Sequence, residues 1–149
     1  MGTRSTIAYK EGNKIRSVYC HWDGYISYNG YILQNFYQEA RKIGQLIELG
    51  DISHLGAQLG EKHDFDECDN AETYADTRCT FYGRDRGEDG VEACEFDTIQ
   101  DWLAYYGWSE FAYLWTGGEW LVWCGETDAQ GHPVFDRVED ELDEEVEHC

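Results

Sequence analysis

Apolar and polar positions alternate along Thr6-Ile7-Ala8-Tyr9-Lys10 and again along Lys14-Ile15-Arg16-Ser17-Val18-Tyr19-Cys20. A period of two marks strands, and Glu11-Gly12-Asn13 between them supplies the residues of a hairpin loop. Beyond Asp23-Gly24 the period changes. Ile32, Leu33, Phe36, Tyr37, Ala40, Ile43, Leu46, Ile47 and Leu49 recur at helical spacing and predict one principal helix over roughly 28–49, stopped by Gly50. Gly44 is a weak point inside it. Residues 51–56 read as a turn, and 60–78, which lack apolar periodicity, as an irregular acidic loop. Arg78 to Tyr82 and Val91 to Phe96 suggest a strand and its return, joined by a charged turn over 83–90. Thr98 is placed to cap a second helix through Tyr106, and Phe111 to Trp115, Thr116-Gly117-Gly118 and Glu119 to Cys124 form a second hairpin.

This order predicts an α+β fold: an antiparallel sheet built from two or three hairpins, with two helices packed on one face. One domain should span 1–126. The remainder, 127–149, is an acidic tail, either mobile or forming a short docked helix through Val134, Val138, Leu142 and Val146. Both faces of the second hairpin are apolar, so one face needs a further layer, a partner or a second copy of the chain. A homodimer is a natural expectation on that ground.

Charge changes the picture. The net charge is −20, and it is unevenly spread: residues 1–60 carry six basic and five acidic side chains, residues 61–149 five and twenty-six. A surface of that sign repels nucleic acid and anionic membranes and attracts basic partners. No apolar run reaches membrane-spanning length and no apolar signal core precedes the first strand. The six cysteines are widely spread, so reduced thiols in a cytoplasmic protein are expected.

Candidate chemistry is concentrated in Tyr19-Cys20-His21-Trp22-Asp23-Gly24-Tyr25. Cys20 and His21 are strand neighbours on opposite faces and cannot pair as nucleophile and base. A catalytic Cys20 would need His54 or His63. His63-Asp64-Phe65-Asp66-Glu67-Cys68-Asp69 is rich in metal-ligand types, with Cys79 and Cys94 as further donors. It lacks both zinc spacing and the glycine of an EF-hand loop, so neither a metal nor a cofactor is expected. Arg84 and Arg86, set among glycines and next to Tyr82, suit a phosphate, and His21 and Asp23 complete a candidate ligand set. Asp85, Glu88 and Asp89 compete for the same guanidiniums.

Thr3-Arg4-Ser5-Thr6-Ile7, the stretch Tyr19 to Tyr25, Leu49-Gly50-Asp51-Ile52-Ser53-His54-Leu55-Gly56 and Tyr82-Gly83-Arg84-Asp85-Arg86-Gly87-Glu88 together resemble a family of small, functionally uncharacterised bacteriophage and prophage proteins. The resemblance extends to about residue 123 and implies a viral accessory protein acting in the bacterial cytoplasm. It brings no catalytic residues with it. With the charge, it suggests an anti-defence inhibitor, more a binder than an enzyme, whose carboxylates imitate nucleic acid and occupy a basic, nucleic-acid-handling host protein. Asp64, Asp66, Glu67, Asp69, Glu88, Asp89, Glu92, Glu139, Asp140 and Glu141 are the candidate partner-binding residues. The alternative is a nucleotide-binding protein that sequesters or cleaves a small nucleotide through Arg84, Arg86, Tyr82, His21 and Asp23.

Overall fold

The computed structural model describes residues 3–67 and 69–147, with side chains through 143. Cys68 and Cys149, two of the cysteines considered above, fall outside the described residues.

Strands β1 (Ser5–Glu11) and β2 (Lys14–Cys20) pair antiparallel in full register, Ser5 opposite Cys20 and Glu11 opposite Lys14. Gly12, at φ 59°, takes the conformation the two-residue loop requires. A π-helical turn, Ile26–Gly30, leads into α1 (Tyr31–Phe36), and α2 (Ala40–Glu48) follows. The expected single helix is therefore broken at Tyr37. Its ring is wholly buried, its hydroxyl donates to the Gly56 carbonyl (2.6 Å), and its own carbonyl accepts the Trp120 indole N–H (2.8 Å). Tertiary partners take the groups that a continuous helix would have used. Lys42 Nζ bridges the break, donating to the carbonyls of Phe36 (2.7 Å) and Ala57 (2.6 Å).

Strand β3 (Ile52–His54), read as a turn in the sequence, runs parallel to the end of β2. β4 (Thr80–Phe81) pairs with β3, and β5 (Cys94–Phe96) pairs with β2, so the expected hairpin between residues 78–82 and 91–96 does not form. Between them Tyr82–Arg86 forms a one-turn helix, α3, closed by Gly87 at φ 77°. α4 (Ile99–Tyr105) is capped by Thr98, whose Oγ1 accepts from the Asp101 N–H (3.0 Å). β6 (Phe111–Thr116) and β7 (Glu119–Trp123) make the second hairpin through Gly117 and Gly118, both at positive φ as a primed turn demands. β8 (Asp136–Arg137) pairs with β7 and α5 (Val138–Glu147) ends the described chain.

The eight strands form one sheet in the order β4-β3-β2-β1-β6-β7-β8, with β5 alongside β2. It is mostly antiparallel, but β1–β6 and β2–β3 are parallel, unlike the wholly antiparallel sheet expected. Helices cover both faces. On one, Ile7, Val18, Tyr113 and Trp120 pack with α1, α2 and Val138 of α5. On the other, Ala8, Ile15 and Leu114 pack under Trp102 and Tyr106 at α4, whose indole N–H donates to Thr6 Oγ1 (3.1 Å). Two helices on a single face was thus too simple. The chain itself supplies the second layer for β6–β7, which removes the ground on which a homodimer was expected. Among the described residues no helix is long and apolar enough to cross a membrane.

Candidate functional site

The parallel pairing of β2 with β3 continues past Cys20: His21 N–H donates to the Ile52 carbonyl (3.0 Å) and Trp22 N–H to that of Ser53 (3.1 Å). His21, Trp22, Ser53 and His54 are thereby laid side by side. The turn beyond is held from beneath. Gly24 N–H donates to the Thr3 carbonyl (2.8 Å), Tyr113 OH to the Gly24 carbonyl (2.6 Å), and a Cβ at position 24 would lie 2.8 Å from Thr3 O. Only glycine fits there. Asp23 adopts φ 57°, a conformation Asp tolerates better than most residues, and its carboxylate accepts from Tyr25 OH (3.2 Å).

These residues form one wall of a cleft of about 720 Å³, within the size range of small-molecule sites. Tyr82 and Arg86 of α3 and Arg78 and Thr80 near β4 line it as well, as do Phe65, Asp66, Glu67 and Asp69 of the acidic loop. Aromatic rings meet throughout: Trp22 stacks on His54 (5.8 Å, 17°) and meets His21 edge-on (4.7 Å), while Phe65 lies 5.5 Å from Tyr82 with the Arg86 guanidinium over it.

The imidazoles are oriented by hydroxyls. Tyr19 OH bonds His21 Nδ1, and Ser53 Oγ lies 3.2 Å from His54 Nδ1. Burial lowers the pKa of both rings. For His21 the Arg4 guanidinium adds to the fall, whereas Asp23 and Asp69 partly oppose it at His54. Burial pushes the Tyr19 phenol up to about 12, so it remains protonated.

Arg78 is the cation that the sequence reading overlooked. Its Nε and Nη2 are buried without a hydrogen bond, and its nearest carboxylate oxygen, Glu67 Oε2, is 3.7 Å from Nη2. Gly56 packs so tightly on the Arg78 backbone that an added Cβ would lie 2.4 Å from its carbonyl carbon. The guanidinium is held in place with donor capacity left over. A single arginine at the start of a short strand gave no signal of this.

Of the residues singled out earlier, His21, Tyr82 and Arg86 line the cleft, while Asp23 and Arg84 stand outside its described lining. Arg84 instead donates to the carbonyls of Leu59 (2.8 Å), Gly60 (3.2 Å) and Cys79 (3.0 Å) and to Asp85 (3.0 Å). Asp85 also accepts from the Phe81 and His63 N–H groups. This ion pair is a brace for the loop. His63 has both ring nitrogens engaged, by the Glu61 carbonyl and Thr80 Oγ1. Cys20 is fully buried, and burial pushes its thiol up to about 12, so it is inert as a nucleophile. Cys20, Cys79, Cys94 and Cys124 carry free thiols. Among the described residues no three His, Cys, Asp or Glu side chains converge as a metal site.

The candidate partner-binding carboxylates fall in separate places. Asp66, Glu67 and Asp69 edge the cleft; Asp64 caps its own loop through the Asp66 N–H (3.2 Å), and Asp69 accepts from the Arg78 and Ala71 N–H groups. Glu88, Asp89 and Glu92 are exposed between α3 and β5. Glu139 and Asp140 are exposed at the start of α5, flanking Arg137, and Glu141 is half-buried behind them. β4 and β8, beside which the first and last groups lie, are opposite edges of the sheet.

Compared with known proteins, the chain matches no family model, no curated protein and no solved structure.

Proposed function

We propose that the protein binds a small nucleotide in the cleft between β3 and α3. The observation that carries this reading is Arg78: a fixed guanidinium on the cleft wall whose Nε and Nη2 lack hydrogen-bond partners, with Arg86 lining the same cleft. A phosphate oxygen supplies the missing acceptors in the forked geometry that suits arginine. Trp22, Phe65 and Tyr82 offer flat apolar surfaces on which a base stacks. Glu67 is the carboxylate nearest to the Arg78 guanidinium, and a bound phosphate displaces it.

Thermal shift and calorimetry with inorganic phosphate, nucleoside monophosphates and cyclic dinucleotides test this. Arg78→Gln is expected to weaken binding roughly 10- to 100-fold, the worth of a charge-assisted hydrogen bond. Glu67→Gln is expected to strengthen it. Unchanged melting across the whole panel rejects the reading.

A second reading is favoured by the twenty-six acidic side chains of residues 61–149. In it the protein is a phage accessory inhibitor in the bacterial cytoplasm, and exposed carboxylates including Glu88, Asp89, Glu139 and Asp140 engage a basic, nucleic-acid-handling host protein. Such binding weakens with salt. Capture from lysate that yields no such protein at low salt counts against it.

A further inference from the structure

The cleft contains more than a phosphate seat. His21 and His54 both line it, each in contact with the Trp22 indole, and each has Nδ1 engaged by a hydroxyl, that of Tyr19 or that of Ser53. In both rings Nε2 is the nitrogen for which no protein hydrogen bond is described. A hydroxyl partner both accepts from an Nδ1–H and donates to a bare Nδ1. Either ring can therefore gain or lose a proton at Nε2 without losing the bond that orients it.

Among the described residues, the thiols and the serine and threonine hydroxyls near this space are buried or already engaged, Thr80 Oγ1 by His63 Nε2. Cys20 and Cys79 are fully buried, Ser53 is 2% exposed, and the Thr77 hydroxyl already donates to the Tyr74 carbonyl and accepts from the Ala57 N–H. A bound molecule can bring its own attacking oxygen. A ribonucleotide carries one, the 2′-hydroxyl next to its 3′-phosphodiester, and an internal nucleophile gains the high effective concentration of an intramolecular reaction.

We propose that the cleft cleaves a ribonucleotide phosphodiester by internal transesterification, with His21 and His54 passing the protons while Arg78 and Arg86 hold the phosphate. The inference rests on the nucleotide-binding reading of this cleft. His21 Nε2 takes the proton of O2′ as the O2′–P bond forms, and His54 Nε2 gives a proton to O5′ as the P–O5′ bond breaks. The products are a 2′,3′-cyclic phosphate and a free 5′-hydroxyl, and no other reactant is consumed. The charges around the rings assign the roles. Burial lowers the pKa of both rings; Arg4 adds to the fall at His21, which suits the base, whereas at His54 Asp23 and Asp69 offset part of the fall that burial and His21 cause, which suits the acid.

The test separates binding from cleavage. Linear and cyclic ribodinucleotides and their 2′-O-methyl analogues are offered to the full chain, binding of the analogues is read by calorimetry, and products are read by mass spectrometry. Cyclic phosphate is expected from the 2′-hydroxyl substrates and no product from the methylated ones. His21→Asn and His54→Asn should each lower the rate about 100-fold or more while still binding the analogues. The bell-shaped pH profile should lose its acidic limb in the first variant and its alkaline limb in the second. Far-ultraviolet circular dichroism confirms folding; if His21→Asn unfolds, the exposed His54 provides the deciding variant. Analogues that bind beside ribodinucleotides that stay intact overturn the cleavage and leave the binding reading standing. No binding at all removes both. Product without a cyclic phosphate, or cleavage that survives both substitutions, overturns the proposal.

Discussion

Asp51 ties together β2, the start of α3 and the segment before β5 through its own atoms: its carboxylate accepts from the Tyr19 N–H (2.9 Å), its N–H donates to the Val91 carbonyl (2.8 Å), and its carbonyl accepts from the Tyr82 N–H (3.2 Å). Burial pushes the carboxyl up to about 6; the Tyr19 N–H opposes the rise and Glu92 adds to it. The folded-state value thus lies above the roughly 3.9 of an unfolded Asp, so folding favours the protonated form. That contribution is complete below about pH 4 and is lost as pH rises through 6. Asp51→Asn keeps an acceptor for Tyr19 and cannot ionise. Its melting temperature should match wild type near pH 4 and exceed it increasingly toward pH 7; a gap that does not change with pH overturns the assignment. None of this was legible in the sequence, where Asp51 is one residue of a turn. The arginines show the same limit: the Gly-Arg-Asp-Arg-Gly spacing drew attention to Arg84 and Arg86, yet Arg84 is occupied by three carbonyls contributed from elsewhere in the chain. Arg78, without a motif, keeps two buried nitrogens with no hydrogen-bond partner. Local spacing states which groups exist, and long-range contacts decide which remain available.

At the scale of elements, both hairpins and the Thr98 cap were legible because their determinants are local: alternation, a glycine at positive φ, a side chain that meets an N–H three residues on. The break at Tyr37 was not, since apolar spacing resumes at Ile43 and only Gly56 and Trp120 reveal why the helix stops. β3 was likewise obscured, and β5, read as a strand, was given the wrong partner: three-residue strands carry little period, and their partners are dozens of positions away. Two glycines separate helix propensity from packing. At Gly44, inside α2, an added Cβ meets nothing within 4 Å, so Gly44→Ala should raise stability by roughly 0.5–1 kcal/mol. At Gly56 the same methyl group would collide with the Arg78 backbone, so Gly56→Ala should lower stability by about 1–3 kcal/mol and displace the Arg78 guanidinium. Denaturant midpoints measure both, and a destabilised Gly44→Ala would place a neighbour where the structure has none.

The whole molecule sets these local sites in a strongly negative field. With a net charge of −20 the protein repels an anionic ligand at long range, even though Arg78 and Arg86 attract its phosphate at contact. Screening acts mainly on the long-range part, because the Debye length is about 10 Å at 0.1 M salt. The association rate of a nucleotide should therefore rise as salt increases from 10 to about 200 mM, while its dissociation rate changes less. A basic protein partner gives the opposite sign: its approach is steered by the same field and slows as salt is added. Stopped-flow fluorescence, with tryptophans Trp22 and Trp108 partly exposed as reporters, resolves the nucleotide case directly. A nucleotide association rate that falls with salt would mean that the cleft presents a net positive face despite the acidic residues that line it. The Asp66, Glu67 and Asp69 carboxylates would then be neutralised by their own hydrogen bonds and by Arg78. Charge count, which pointed first to a protein partner, is thus converted into a kinetic sign that assigns each ligand class its own outcome.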